Sequence, residues 1–167
     1  YYMRVDAKPM GTFPKEKKLG NYQFGSTAYE YLDKITNLCR ENGIQLILIK
    51  APSVYPSWHD QWDQQMEEYA KKNQIRYINF LNLQEEIGLD FETDTYDGGL
   101  HLNLSGAQKL SQYFGQILRQ EYGLSNHQTD SKLAQAWKPK VEFYYQMKAE
   151  QERDLERYGY IRKFHEE

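Results

Sequence analysis

Apolar residues first fall into a helical rhythm after residue 25, at Leu32, Ile35, Leu38 and Cys39. Steps of three and four put them on one face of a helix. Ser26 or Thr27 opens this helix, and Thr27 with Glu30 has the capping-box spacing. Gly43 closes it in the usual left-handed position. The rhythm then breaks into a short run, Ile44-Gln45-Leu46-Ile47-Leu48-Ile49, bounded by Gly43 and Pro52. So short and apolar a run reads as a buried parallel strand. Ala51-Pro52-Ser53 is the loop beyond it.

Ser57 is placed to cap a second helix carrying Trp58, Trp62, Met66, Tyr69 and Ala70, and Ile75 to Phe80 reads as a second strand. Helix, strand, helix, strand is the alternation of a parallel α/β sheet. A short helix over 83–87 leads into the polar stretch 92–101. Ser105 with Gln108 repeats the capping-box spacing ahead of Ala107, Leu110, Phe114, Ile117 and Leu118, and Gly123 ends that helix. After a polar linker over 125–131, Leu133, Trp137, Val141, Tyr144 or Tyr145, Leu155 and Tyr158 mark a last, highly charged helix with Pro139 near its start. It reads as a helix packed along the domain or protruding from it. No internal repeat is visible.

Residues 1–25 have no such period and carry five Gly and Pro residues, which predicts an extended leader. The expected organisation is therefore a leader over 1–25, an α/β domain over 26–124, and a linker with a charged helix over 125–167.

Charge and composition narrow the function. With 21 basic against 24 acidic residues the chain lacks the surplus that displaces counterions from nucleic acid, so no nucleic-acid partner is expected. The single cysteine, Cys39, excludes an intrachain disulfide, and its apolar helix face suggests a small core residue. Fifteen tyrosines reconcile a mean hydropathy of −0.90 with amphipathic helices. No run approaches the ~20 apolar residues of a membrane span. The opening Tyr1-Tyr2-Met3 suggests a piece of something longer.

The most informative segment is Asp94 to Ala107, Asp-Thr-Tyr-Asp-Gly-Gly-Leu-His-Leu-Asn-Leu-Ser-Gly-Ala. It sets an imidazole just before a helix with carboxylates a few residues upstream. Gly98 and Gly99 permit the tight turn that brings a carboxylate back to the ring. A histidine with one nitrogen held by a carboxylate is oriented for proton transfer through the other. That is the base-and-orienter half of a nucleophilic triad.

Other constellations are weaker. Asp94, Asp97 and His101, or His59, Asp60 and Asp63, offer metal-binding residue types without the paired-histidine spacing of a zinc motif, so no metal and no cofactor is expected. His127 and His165 lie in polar or terminal contexts. Trp58 and Trp62 stand one turn apart beside a strand end, as packing or as a face for a sugar ring.

The block at 97–107, Asp-Gly-Gly-Leu-His-Leu-Asn-Leu-Ser-Gly-Ala, resembles the last conserved block of the SGNH (GDSL-type) hydrolase superfamily. The strand ending Ile49-Lys50-Ala51-Pro52-Ser53, the next helix and strand, and the helix over 102–118 also fit, so the likeness covers about residues 30–122. It implies a flavodoxin-like three-layer sandwich around a parallel sheet, incomplete at its N-terminal edge. It implies His101 as general base and Asp97 as its orienting acid. The family spacing is Asp-x-x-His, whereas Asp97 stands four residues before His101, so Asp94 is the substitute.

No serine here sits in a Gly-Asp-Ser-like turn after a first strand. The likeness thus implies a nucleophile outside this chain, which alone would be inactive. It points to bacterial cell-envelope esterases and O-acyltransferases. The implied substrate is an ester or acylated carbohydrate, the partner a membrane-bound O-acyltransferase, and the location extracytoplasmic. An incomplete sheet would also expose an edge open to self-association. The other class of function is a non-catalytic surface scaffold or carbohydrate-binding module.

Overall fold

A computed structural model describes residues 3–12, 18–54, 57–127 and 129–165. The fold is mixed α/β and divides into two compact units, Thr12–Glu85 and Tyr1–Gly11 with Glu86–Glu167. These limits cut across the sequence boundaries at 25 and 124, and the leader is shared between the units.

In the unit Thr12–Glu85, α1 (Ser26–Glu41) and α2 (Asp60–Asn73) alternate with β1 (Ile47–Lys50) and β2 (Arg76–Asn79). The strands are parallel, with Ile47 opposite Arg76 and Lys50 opposite Asn79. Among the described residues the sheet stops at these two strands, short of the three-layer flavodoxin-like sandwich.

Strand β1 begins three residues later than the apolar run. The Ile44 N–H donates to Cys39 O (2.8 Å) and the Gly43 N–H to Arg40 O (3.3 Å), closing α1 in a Schellman motif. Ile44 is consumed by that closure and cannot start a strand. The same closure ends α2, from Ile75 to Ala70 O (2.8 Å) and Gln74 to Lys71 O (3.3 Å), with Gln74 in the left-handed region at φ 57°.

The expected caps also move. Gly25, with no side chain, precedes α1, so Thr27 lies in its first turn and the capping box is not formed. His59 precedes α2, so Ser57 lies outside the helix. Helix α2 packs on β2, and the small core here is Tyr69, Ala70, Ile78 and Phe80. Helix α1 meets α2 through polar groups: Tyr69 donates its phenolic proton to Asp33 (2.7 Å), leaving Thr36 to donate to the Tyr69 oxygen (3.0 Å). The apolar face of α1 therefore stays largely uncovered. Ile35 and Leu38 are exposed, and Cys39 is half-buried, not a core residue.

The short helix α3 (Gln84–Ile87) spans the division between the units. The second unit holds α4 (Leu104–Tyr122), α5 (Ser131–Tyr158) and a 3-10 turn at Arg162–Phe164. Ile87, Phe91 and Ile161 are its buried apolar residues. Residues 3–11 run without regular structure and are laced to it: Leu104 N–H donates to Arg4 O (2.8 Å), and Lys8 N–H to Thr95 O (2.8 Å). The buried Gln151 amide of α5 accepts from Val5 N–H (3.1 Å) and donates to Met3 O (2.8 Å).

Helix α5 starts earlier than the sequence suggests, because Asp130 caps it by accepting from the N–H groups of Lys132 and Leu133. Pro139 consequently lies inside the helix. The exposure of this stretch lets water satisfy the carbonyl that proline leaves unpaired. Among the described residues no helix is long and apolar enough to cross a membrane.

Candidate active site

The loop from Asp90 to Asn103 is fixed at its base before it offers any chemistry. Asn103 caps α4 by accepting from Gly106 N–H (3.1 Å), so the helix starts at Leu104 and Ser105 is not its cap. The Asn103 amide also donates to Thr93 O (2.8 Å) and Asp6 O (3.1 Å), and its N–H donates to Asp94 O (2.9 Å). A Cβ on Gly106 would stand 2.5 Å from Asp94 O, so only glycine lets the loop lie this close to α4.

Asp94 belongs to that base. It is 1% exposed, and its Oδ2 accepts from Lys109 Nζ (2.6 Å) and Asp90 N–H (2.9 Å). Burial pushes its carboxyl up, but Lys109, Asp90 and Ser105 outweigh burial and hold it below the usual carboxylate range. Committed to Lys109, Asp94 is not the substitute partner of the histidine.

Above the base the chain doubles back through a bridge between Thr95 and Leu102, and Gly98 (φ 77°) and Gly99 (φ 108°) make the bend. The bend returns the His101 N–H to Asp97 Oδ1 (2.7 Å) and sets Asp97 Oδ2 2.5 Å from His101 Nδ1. The backbone contact takes up the additional residue between acid and base. Tyr96 stacks beside the imidazole at 5.8 Å between ring centres. The guanidinium of Arg4, held by two hydrogen bonds to Asp6, lies 5.3 Å from the Tyr96 ring.

An ionised carboxylate only accepts, so the neutral ring in this pair carries its proton on Nδ1. Nε2 then holds a lone pair on a side chain that is 60% exposed. The arrangement can take up a proton through Nε2 while Asp97 stabilises the imidazolium that results. Among the described residues no hydrogen bond joins a serine to His101.

The other sequence constellation resolves into a structural hub. Asp63 Oδ1 accepts from Trp58 Nε1 (3.0 Å), the Tyr77 hydroxyl (2.6 Å) and Asn79 Nδ2 (2.8 Å), while Oδ2 accepts from Asn82 Nδ2 (3.3 Å). Burial raises the Asp63 carboxyl, yet these donors bring it below its ordinary value. Burial and Asp63 together drive the Tyr77 hydroxyl strongly up. At the end of β1, burial lowers the Lys50 ammonium, partly opposed by Asp63.

Trp58 and Trp62 pack with each other (5.6 Å) and with Phe24 (6.2 and 6.1 Å), and His59 lies between Tyr22 and Trp62. Sequence reasoning missed this hub, although an asparagine ending an apolar strand at Asn79 was a signal for it. Among the described residues no group of three His, Cys, Asp or Glu side chains could hold a metal ion.

No protein-family model matches this chain, and no curated protein and no solved structure matches it either.

Proposed function

We propose that this chain supplies the base half of an SGNH-like serine esterase or O-acyltransferase acting on a cell-envelope polymer or carbohydrate ester. The observation that carries the reading is Asp97 on His101 Nδ1, with Nε2 open on an exposed ring. The nucleophilic serine comes from outside the 167 residues. The exposed Ile35, Leu38, Ile44 and Ile49 support this, since further strands of a flavodoxin-like three-layer sheet would cover such apolar surface.

In the proposed reaction the serine oxygen attacks the acyl carbon as His101 Nε2 takes the hydroxyl proton. Collapse of the tetrahedral adduct passes that proton to the departing alcohol and leaves an acyl-serine. Water or an acceptor hydroxyl then attacks, giving its proton to Nε2, which returns it to the serine oxygen. Action outside the cytoplasm beside a membrane-bound O-acyltransferase belongs to the same reading. So does self-association with a second copy through an exposed sheet edge.

The test is p-nitrophenyl acetate turnover by the 167-residue chain and by a form extended upstream to the start of the gene, each with and without His101→Ala. Turnover by the extended form alone, lost with His101, is the expected result. Full activity in the His101→Ala variant would sink the proposal.

A second reading, a non-catalytic scaffold or carbohydrate-binding module, draws on the half-buried cluster of Tyr22, Trp58, His59 and Trp62. It predicts an extended form that is inert towards esters but binds envelope polysaccharide, with binding reduced by Trp62→Ala.

A further inference from the structure

Helix α5 has two halves of opposite character. The C-terminal half is anchored: Gln151 is buried against Met3 and Val5, and Asp154 accepts from both the backbone and the guanidinium of Arg162. From Ser131 to Phe143 every residue is exposed, whichever way it points. This exposed half carries Leu133, Trp137, Val141, Phe143 and Tyr145, with Trp137 57% and Tyr145 63% exposed. Leu133, Trp137, Val141 and Tyr144 form one stripe at helical spacing.

Its charge differs as well. Between Ser131 and Phe143 stand Lys132, Lys138 and Lys140 against one acid, Glu142, which Lys138 meets at 3.9 Å, whereas 149–158 holds four acids and two arginines. Lys140 lies 4.6 Å from the Trp137 ring, so a cation borders the apolar stripe directly.

We propose that the N-terminal half of α5 lies on an anionic lipid surface, with the stripe at the headgroup boundary and the lysines among the phosphates. Tryptophan and tyrosine suit that boundary because each joins an apolar body to a polar tip. Three lysines complement anionic headgroups, and each adds to the attraction near the surface. The same charge disfavours the other simple occupant, a second copy of this helix, because pairing the stripes would bring like-charged lysines together. The helix is not apolar enough to cross the bilayer, so its place is in the interface plane. This inference does not depend on the acyl-transfer reading.

The test is co-sedimentation of the 167-residue chain with vesicles of phosphatidylcholine alone and of phosphatidylcholine with phosphatidylglycerol. Binding to the phosphatidylglycerol vesicles only, released by added salt, is expected. Replacing two surface lysines, Lys138→Gln with Lys140→Gln, should weaken partitioning about thirtyfold. Trp137→Ala should weaken it too, with the far-UV circular dichroism of both variants unchanged. Failure to bind anionic vesicles, or binding indifferent to salt and to both variants, overturns the proposal. A dimer in analytical ultracentrifugation that Trp137→Ala dissolves overturns it as well, in favour of a second copy.

Discussion

Asp63 and Asp97 are both half-buried aspartates, and their partners divide structure from chemistry. Asp63 accepts from four side chains on the loop before α2, on β2 and just beyond it. Each of those donors gives a hydrogen bond to the carboxylate, so it works as a knot that ties the strand end to the helix. Among the described residues Asp97 accepts only from His101, once from its backbone and once from its ring. The ring has a second nitrogen to offer, and the pair can pass a proton on. Number of donors alone would make Asp63 the more eye-catching site. On the proposed reading the nature of the donor makes Asp97 the reactive one, since a carboxylate reaches chemistry through a partner with a second function to offer.

The comparison is broken most directly at Asp97. In the extended protein Asp97→Asn should keep the loop but remove the group that holds the proton on Nδ1. Turnover is expected to fall on the order of 10⁴-fold. Stability should change by no more than about 1 kcal/mol, because the partner ring is largely exposed. Turnover and urea unfolding measured on one preparation give both numbers. Unchanged turnover would return Asp97 to the role of a loop latch.

Asp63→Ala should do the opposite. It leaves the Tyr77 hydroxyl, the Trp58 N–H and the Asn79 amide without their acceptor, at a cost of about 2–3 kcal/mol in urea unfolding. Activity per folded molecule should stay the same. A pH dependence sharpens this further. The Asp63 carboxyl is lowered in the folded state, so its contribution is complete above the ordinary carboxylate range and is lost as pH falls through the lowered value. Acidification should therefore reduce the urea midpoint, and Asp63→Asn should flatten that decline. An unaltered slope in Asp63→Asn would assign the acid sensitivity to Asp94, which is lowered in the same direction.

These carboxylates also mark how far the sequence can be read. Asp97 and His101 were legible together because the contact is local, closed by two glycines over four residues. The choice against Asp94 was not, since it rests on Lys109 fifteen positions away. The same distinction decides the cap of α4. Asn103 and Ser105 are equally good caps by residue type, and Asn103 is used because its amide also satisfies carbonyls of Asp6 and Thr93.

The strands were legible as two apolar runs in a parallel order. Their ends were not, because Ile44 and Ile75 give their N–H groups to the preceding helices. Periodicity located the apolar face of α1 but said nothing about what would cover it. Helix α1 reaches α2 through Thr36 and Asp33 instead.

The smallest expected effects come from the two helix ends, and they calibrate the larger ones. Gly43 and Gln74 occupy the same left-handed position in equivalent closures, at φ 64° and 57°. Glycine takes that conformation without steric cost, while a side chain does not. Gly43→Ala should lose about 1 kcal/mol and Gln74→Gly should gain about as much, read from urea midpoints. Among the described residues no atom beyond its chain neighbours lies within 4 Å of a Cβ placed on Gly43, so the change acts through the backbone and touches neither carboxylate. In the extended protein Gly43→Ala should then leave turnover unaltered. Were turnover to fall with that loss of stability, the fall in Asp97→Asn would have to be read as unfolding, and the line between Asp63 and Asp97 would dissolve.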